Sequence, residues 1–443
     1  MRKVFLSFVG TTDYKECIYY NTEMESRPVR FVQEATIKHY CQTWSFADRI
    51  YIFATDEARK KNWVNDGHLE QNTNNILKRQ GLETGILSLQ LEPEVCMVPI
   101  PEGKDEKEIW DIFNLVYDSL EEGDSVVFDI THAFRSIPML ALAVLNYAKT
   151  LKNIRVEGIF YGAMEKLGPS WVVEKMPIEQ RLVPVFDLTP FADLLDWTSA
   201  IRQFLQAGDA GAIKELTQRF VRPIKKASPE IRRDADSLIH LSKGLDTFSE
   251  NLATCRGPSI SSSAVYLKQA LEQCKGLTML SPLVPLFEKI SERINDFNGD
   301  DLEDGIRSAR WCMEHNLLQQ AYTILQETVI AILVKNTGYD HMDQKMRDRC
   351  ASASTIIRQN LPLKEWIGAA ASDTAATQKI IETIKEAGVS ELLVNLSRAR
   401  NDLNHSGYNH DACTAATFKK RLPDYLAEAE KLIHPDDIEE SRG

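Results

Sequence analysis

The sequence lacks an apolar run long enough to cross a membrane. No segment approaches the roughly 18 uninterrupted apolar residues that a transmembrane helix requires. The first residues, MRKVFLSFVG, run into a strand-like pattern without a cleavage site for a signal peptide. We therefore expect a soluble, cytoplasmic protein that has no contact with a membrane.

Clustered metal ligands and common nucleotide-binding motifs are also missing. The eight cysteines are scattered, with no C-x-x-C pair and no Cys/His cluster at zinc-finger spacing, which favours reduced and mostly buried thiols. The chain contains neither G-x-G-x-x-G nor a Walker A sequence, so neither a dinucleotide nor an NTP phosphate is indicated. We expect no metal ion and no cofactor.

The charge balance limits how the protein can handle nucleic acid. The formal net charge is -12, whereas non-specific affinity for nucleic acid comes from neutralising many phosphates at once. This composition argues against a protein that coats nucleic acid indiscriminately. Any nucleic acid should instead meet a local basic patch, and one candidate near the C-terminus comprises Arg398, Arg400, Lys419, Lys420 and Arg421.

The chain is long enough for two domains, and its sequence pattern changes partway along. Short β-rich apolar runs first alternate with helical patterns, which is typical of a mostly parallel sheet covered by helices. Later residues have almost purely helical periodicity. We expect a Rossmann-like, doubly wound α/β domain over 1–170, a proline-containing connector over 171–191 and an all-α domain over 192–443.

Individual elements of the α/β domain follow from the same patterns. Residues 17–33 form a small hairpin in one interpretation, because aromatic and β-branched residues flank a polar, turn-like stretch. The apolar runs predict strands at 4–10, 49–55, 95–100, 125–131 and 156–162. Helical spacing predicts helices at 31–43, 57–65, 72–80, 105–120 and 137–151.

The carboxyl ends of the predicted strands form a first candidate site. Ligands of open parallel sheets bind there, where loops run into helix N-termini that carry partial positive charge. The helix start near Ser136, with Arg135 and Thr131, makes a cradle for a phosphate. The candidate ligand-binding residues are Gly10, Thr11, Thr12, Tyr14, Thr55, Asp129, Thr131, His132, Arg135 and Ser136, and Tyr161 and Gly162 end a further strand.

The alternative for this site is structural. Asp129 and His132 would then only satisfy backbone groups and cap the helix. Their spacing alone does not decide between ligand binding and capping.

A second candidate site lies in the C-terminal helices, in the stretch LSRARNDLNHSGY. On a helix, Asn401 and His405 are one turn apart and share a face, with Arg400 at its edge. This trio suits RNA cleavage without a metal. An imidazole can accept the proton of an attacking 2′-hydroxyl near neutral pH, and an arginine can stabilise the pentavalent phosphate with its forked donor.

The same R-x4-H spacing occurs a second time, at Arg310 and His315. Trp311, Cys312 and Met313 stand between them, and such large apolar neighbours are typical of a half-buried packing helix. We therefore prefer the later copy as the catalytic one. A single helix offers only one arginine and one histidine, so pairing two such helices across a two-fold axis would form a better equipped cleft.

With both sites in view, the chain resembles the CRISPR-associated ancillary ribonucleases of type III systems. These proteins join an N-terminal CARF sensor domain to a C-terminal HEPN nuclease domain. The resemblance covers most of the length and rests on FLSFVGTTDY, VRFVQEA and DITHAFRSIPML, and on LSRARNDLNH near the C-terminus. The last stretch fits the HEPN pattern of Arg, a polar residue, three further residues and His.

This resemblance implies an activity and its control. A CARF dimer would bind a cyclic oligoadenylate, and a HEPN dimer would then cut single-stranded RNA without a metal, leaving 2′,3′-cyclic phosphate ends. Cyclic tetra-adenylate is the expected activator, with cyclic hexa-adenylate second. We expect a homodimer or a higher oligomer, without a stable hetero-partner. The resemblance assigns Arg400, Asn401 and His405 to the nuclease, and the loop from Gly10 to Tyr14, Thr55 and the stretch from Asp129 to Ser136 to the activator pocket.

Two other functions stay open at this point. A nucleotide-sensing regulator without catalysis would use its helical domain only to oligomerise or to bind a partner, and the acidic net charge favours it slightly. A metabolic enzyme of the doubly wound class would use Asp129 and His132 as an acid-base pair. Neither a dinucleotide fingerprint nor a metal cluster accompanies that pair.

Overall fold

The computed structural model describes residues 1–70, 73, 75–132, 137–222, 229–276, 281–408 and 410–433. The chain divides into two compact units, Met1–Asp193 and Leu194–Gly443. None of the helices in the described ranges has the length and apolar character needed to cross a membrane.

The N-terminal unit is built on a mostly parallel sheet, as predicted, and the described residues contribute seven strands to it, two more than the five predicted. The strand order is β2-β9-β8-β7-β1-β3-β6, and the β8–β9 pair is antiparallel. A separate two-stranded hairpin pairs β4 with β5. The strands are β1 (Lys3–Val9), β2 (Ile18–Tyr20), β3 (Arg49–Ala54), β4 (His68–Leu69), β5 (Ile76–Leu77), β6 (Glu94–Pro99), β7 (Ser125–Asp129), β8 (Arg155–Gly162) and β9 (Leu182–Asp187).

Helices cover both faces of this sheet. Along β1, Phe5 packs into one hydrophobic cluster with α1, while Val4, Leu6 and Phe8 pack into a second cluster with α4 and α5. This alternation follows from the two-residue period of a strand. The helices of this unit are α1 (Val32–Cys41), α2 (Asp56–Ala58), α3 (Leu82–Leu87), α4 (Glu106–Asp118), α5 (Ile137–Lys152) and α6 (Ser170–Val173), and a π-helical turn spans Arg59–Trp63.

The structure can be compared with the sequence predictions at three segments. The predicted helix at 72–80 is wrong in its described part, because Ile76–Leu77 form β5. The small hairpin within 17–33 is confirmed, since the amides and carbonyls of Cys17 and Val29 are paired at 2.9 and 3.0 Å. The segment 171–191, interpreted as a connector, supplies β9, which lies between β2 and β8 in the sheet.

The C-terminal unit is helical, as predicted. Its central helix α13 is buried almost along its full length, and the Tyr322 hydroxyl on α13 donates to the carbonyl of Phe418 at 2.9 Å. The helices are α7 (Thr189–Ala207), α8 (Gly211–Val221), α9 (Pro229–Ala253), α10 (Gly257–Cys274), α11 (Val284–Ile294), α12 (Asp301–Glu314), α13 (Leu318–Asn336), α14 (Gln344–Gln359), α15 (Gly368–Ser372), α16 (Thr374–Glu386), α17 (Ser390–Asn404) and α18 (Ala415–Glu430).

Candidate functional site

A cavity of about 390 Å³ opens at the carboxyl ends of β1, β7 and β8. Because these three parallel strands are neighbours, the segments that follow them meet at one edge of the sheet. The loop Gly10–Lys15 follows β1, Thr131 and His132 follow β7, and Tyr161 to Val173 include the end of β8 and the residues after it. The cavity lies at the edge where the sequence predicts a ligand site.

The predicted ligand-binding residues fall into three groups. Thr55 and Asp129 are buried and do not line the cavity. Arg135 and Ser136 lie outside the described residues, so the predicted phosphate cradle at the start of α5 does too. The predicted residues that do line the cavity are Gly10, Thr11, Thr12, Tyr14, Thr131 and His132.

Thr55 and Asp129 serve the fold instead of lining the cavity. The Thr55 hydroxyl accepts the amide of Ala58 at 3.2 Å and thereby caps α2. The Asp129 carboxylate accepts the Thr131 amide at 3.0 Å and the Thr36 hydroxyl of α1 at 3.0 Å. Complete burial raises the pKa of Asp129. The observed contacts of Asp129 are therefore those of a residue that satisfies groups of the fold, which is the structural alternative to ligand binding.

His132 has a different environment from Asp129. Its ring packs against that of Tyr14, with centroids 4.0 Å apart and planes tilted by 31°, and its Nε2 is buried without a hydrogen-bond partner among the described residues. Burial lowers the pKa of His132 to about 3 and raises the pKa of Tyr14 to about 12. Both rings are therefore uncharged near neutral pH, and the buried Nε2 is a polar atom that a ligand or a water molecule could satisfy.

Hydrogen bonds join the walls of the cavity. The hydroxyl of Thr131 accepts the amide of Gly162 at 2.8 Å, which ties the end of β7 to the end of β8. On the opposite side, the Tyr14 ring closes over the backbone of Gly10. Both contacts fix the position of residues that the sequence selects as ligand-binding.

The second predicted site lies at the C-terminal end of α17. Asn401 and His405 are exposed, and the amide of His405 donates to the Asn401 carbonyl at 2.9 Å, so the predicted one-turn relation holds. Arg400 is partly buried and lies 3.9 Å from the Glu327 carboxylate of α13. Ser406 adopts a positive φ of 55°, which ends the helix directly after the histidine.

Glu327 links Arg400 to another arginine. One carboxylate oxygen pairs with Arg347 of α14 at 2.5 Å and the other faces Arg400. The Nε of Arg400 has no hydrogen-bond partner among the described residues. Two guanidinium groups, those of Arg347 and Arg400, therefore face one carboxylate.

The other R-x4-H copy is part of the helical core. His315 is buried and stacks on Trp311, with ring centroids 4.5 Å apart. Its Nδ1 lies 2.7 Å from the Trp311 carbonyl oxygen, and its Nε2 lies 3.1 Å from that of Leu205. Arg310 forms an ion pair with Glu430. These contacts agree with the packing role that its apolar neighbours predict.

Comparison with known proteins bears on the N-terminal unit. Residues 4–165 match the model of the CARF domain of CRISPR system endoribonuclease Csx1. The CRISPR-associated protein MJ1674 of Methanocaldococcus jannaschii is 25% identical over 233 residues, which is 51% of this chain and 32% of that protein. The match thus spans about a third of the length of that relative. These similarities support a CRISPR-associated protein with an N-terminal CARF domain.

The CARF domain match covers β1 to β8, and therefore all three strands whose ends form the cavity. It does not extend into the C-terminal helical unit. The assignment of Arg400, Asn401 and His405 to a nuclease accordingly remains a prediction.

Sequence reasoning missed several residues that line the CARF domain cavity. Lys15 is one of the lining residues and carries a positive charge. Its ammonium pairs with Asp13 at 2.8 Å and with Glu174 at 3.1 Å. Glu165 accepts the Tyr161 hydroxyl at 2.9 Å. Tyr161 and Gly162, by contrast, had a sequence signal, because they end a predicted strand. Lys15 and Glu165 stand in segments whose local pattern does not distinguish them from other surface charges.

Proposed function

We propose that this protein is a cyclic oligoadenylate-activated, metal-independent endoribonuclease for single-stranded RNA that acts in type III CRISPR antiviral defence. The observation that carries the proposal is the cavity at the carboxyl ends of β1, β7 and β8, which are strand ends within the segment that matches a CARF domain. The exposed imidazole of His405, five residues after Arg400 at the end of α17, supports the catalytic half.

The cavity has features that suit a nucleotide ring. The hydroxyls and loop amides of Thr11 and Thr12 offer donors to phosphate oxygens and ribose hydroxyls. The buried Nε2 of His132 offers a further polar contact. Cyclic tetra-adenylate has near two-fold symmetry, so it can contact the same cavity in both copies of a homodimer. Cyclic hexa-adenylate is the second candidate.

The chemistry at the second site follows from a protonatable ring and a fixed cation. His405 accepts the proton of a ribose 2′-hydroxyl while that oxygen attacks the adjacent phosphorus. The bond from phosphorus to the 5′-oxygen breaks, and the 5′-oxygen takes a proton from the imidazole of the second copy or from water. Arg400 stabilises the pentavalent phosphate, and Asn401 orients the histidine or a phosphate oxygen. The products are a 2′,3′-cyclic phosphate and a 5′-hydroxyl.

Activation requires that the ligand binds one arrangement of the dimer better than another. A ligand that contacts both copies of the CARF domain can have such a preference. The two histidines and two arginines of the dimer would then face each other across one RNA strand only in the favoured arrangement.

The test is a cleavage assay with the purified full chain and labelled single-stranded RNA in EDTA. We expect almost no cleavage without activator, and cleavage on addition of cyclic tetra-adenylate or cyclic hexa-adenylate. Linear tetra-adenylate is the matched ligand control. Activity that persists in His405→Ala, or that needs a divalent metal, would overturn the assigned mechanism.

A non-catalytic regulator is the second candidate. The net charge of -12 and the ion pair between Arg400 and Glu327 favour it, because both weaken attraction for RNA. It predicts tight binding of a cyclic oligoadenylate, with no RNA cleavage when either cyclic tetra-adenylate or cyclic hexa-adenylate is added.

A further inference from the structure

The loop Gly10–Lys15 forms one wall of the cavity but belongs to no strand or helix. Backbone groups of such a loop need hydrogen-bond partners from elsewhere. The carbonyls at three alternate positions, Gly10, Thr12 and Tyr14, all find side-chain donors. The donors come from Asn62 and Arg30, neither of which lines the cavity.

Asn62 holds two of these carbonyls at once. Its amide nitrogen donates to Gly10 at 2.8 Å and to Thr12 at 2.9 Å. Its amide oxygen lies 2.8 Å from the Arg30 guanidinium and 3.0 Å from Nε2 of His68. All four contacts pair a donor with an acceptor only in this orientation of the amide. Asn62 is completely buried, and its contacts with Arg30 and His68 are shielded from water.

Arg30 completes the arrangement. Its Nε donates to the Tyr14 carbonyl at 3.0 Å, and one Nη donates to the Gln80 carbonyl at 2.8 Å. The other Nη contacts Asn62 and also Asp13, at 3.3 Å. Arg30 is buried, and its Nε and both Nη atoms have hydrogen-bond acceptors within the protein. It therefore supports the loop and is not available to a ligand.

The backbone around Asn62 is unusual. The residue lies in the π-helical turn Arg59–Trp63, a conformation that is rare and often found at functional sites. The hairpin of β4 and β5 supplies His68, the second partner of the amide oxygen. The loop is thus held by an arrangement of residues from three segments: Arg30 before α1, Asn62 in the π-helical turn and His68 in β4.

We infer that Asn62, supported by Arg30 and His68, is a positioning residue that sets the conformation of the cavity wall Gly10–Lys15 before any ligand binds. This inference rests on the proposed function. A wall whose conformation is already set lowers the entropy cost of ligand binding, because binding does not have to order the loop. Asn62 acts through the loop and makes no contact with the ligand.

The experiment compares Asn62→Ala with Asp48→Ala in the full-length protein. Asp48 is a matched control, because it is also buried and accepts backbone amides of Lys3 and Ser45, at 2.7 and 2.8 Å. It lies at the amino ends of β1 and β3, opposite the cavity. The measurements are amide hydrogen exchange of residues 10–15 without ligand, affinity for cyclic tetra-adenylate by calorimetry, and the melting temperature.

We expect Asn62→Ala to speed exchange of residues 10–15 and to weaken binding roughly tenfold, which corresponds to about one lost hydrogen bond. Asp48→Ala should lower the melting temperature and leave loop exchange and affinity unchanged. Should Asn62→Ala fail to fold, His68→Ala, which removes one partner of the amide, should show a smaller change in the same direction.

Equal loop exchange and equal affinity in Asn62→Ala and the wild type would overturn the inference. Failure of the wild type to bind any cyclic oligoadenylate would instead remove the proposed function. The exchange of residues 10–15 would still decide whether Asn62 holds the loop.

Discussion

The two R-x4-H copies allow stability and catalysis to be separated by two single substitutions. His315→Ala removes a buried ring that stacks on Trp311 and has carbonyl oxygens at 2.7 and 3.1 Å from its nitrogens. One or two hydrogen bonds are worth about 1 kcal/mol each, and an aromatic pair about 0.5 to 1.5 kcal/mol. We expect this variant to lose about 1.5 to 3.5 kcal/mol of the free energy of unfolding of the C-terminal unit.

His405→Ala should instead lower the cleavage rate and leave the free energy of unfolding nearly unchanged. The imidazole is exposed, so the free energy of unfolding should change by less than about 0.5 kcal/mol. If His405 acts in general acid-base catalysis, the cleavage rate with activator should fall about 100- to 10,000-fold. The assay is single-turnover RNA cleavage in EDTA, with urea unfolding followed by circular dichroism on the same preparations.

The control compares rates per folded molecule. His315→Ala should cleave at close to the wild-type rate at a temperature where it remains folded. A rate loss in His315→Ala that matches that of His405→Ala, without a loss of stability, would refute the distinction between a packing copy and a catalytic copy.

Three further outcomes can be tested on the two units. Thr131→Val removes the acceptor of the Gly162 amide, so the N-terminal unit should lose about 1 to 3 kcal/mol in urea unfolding and bind cyclic tetra-adenylate more weakly by calorimetry. The pKa of His132 is about 3 in the folded chain and about 6.5 when unfolded, so the unfolded state binds the extra proton between these values and stability falls as the pH drops below about 6.5. That loss is about 2 kcal/mol between pH 7 and pH 5, and His132→Gln should flatten this part of the profile; an unchanged slope would contradict the assignment. Gly305→Ala places a methyl group 2.4 Å from the Thr328 hydroxyl oxygen, so it should cost about 1 to 3 kcal/mol, and an added Thr328→Ala should recover part of that cost in the same unfolding assay.

The layout of the N-terminal unit could be predicted from the sequence because its signals are local. The buried strands read as apolar runs, and the four central predicted strands agree with β1, β3, β7 and β8 to within two residues at each end. The strand ends then indicate which loops meet, since the carboxyl ends of parallel strands share an edge. Gly10, Thr131 and His132 were found in this way.

The parts that sequence reasoning missed depend on contacts between distant residues. Arg30 and Asn62 look like ordinary polar residues of a helix start and a helix, and their pairing joins positions 32 residues apart. The short β5 was predicted as a helix because two apolar residues carry little periodicity, and its pairing with β4 decides the structure. Thr55 has the polar, strand-end position of a ligand-binding residue, but its hydroxyl is used by α2.

The glycine at position 10 has a consequence for ligand design. A β-carbon built there would lie 2.4 Å from the Tyr14 hydroxyl oxygen, closer than nonbonded atoms can approach. Even an alanine would therefore displace the Tyr14 phenol and change the shape of this wall of the cavity. If the cavity binds a cyclic oligoadenylate, as proposed, replacing this one hydrogen atom with a methyl group offers a route to a receptor that distinguishes a redesigned nucleotide ring from the natural one.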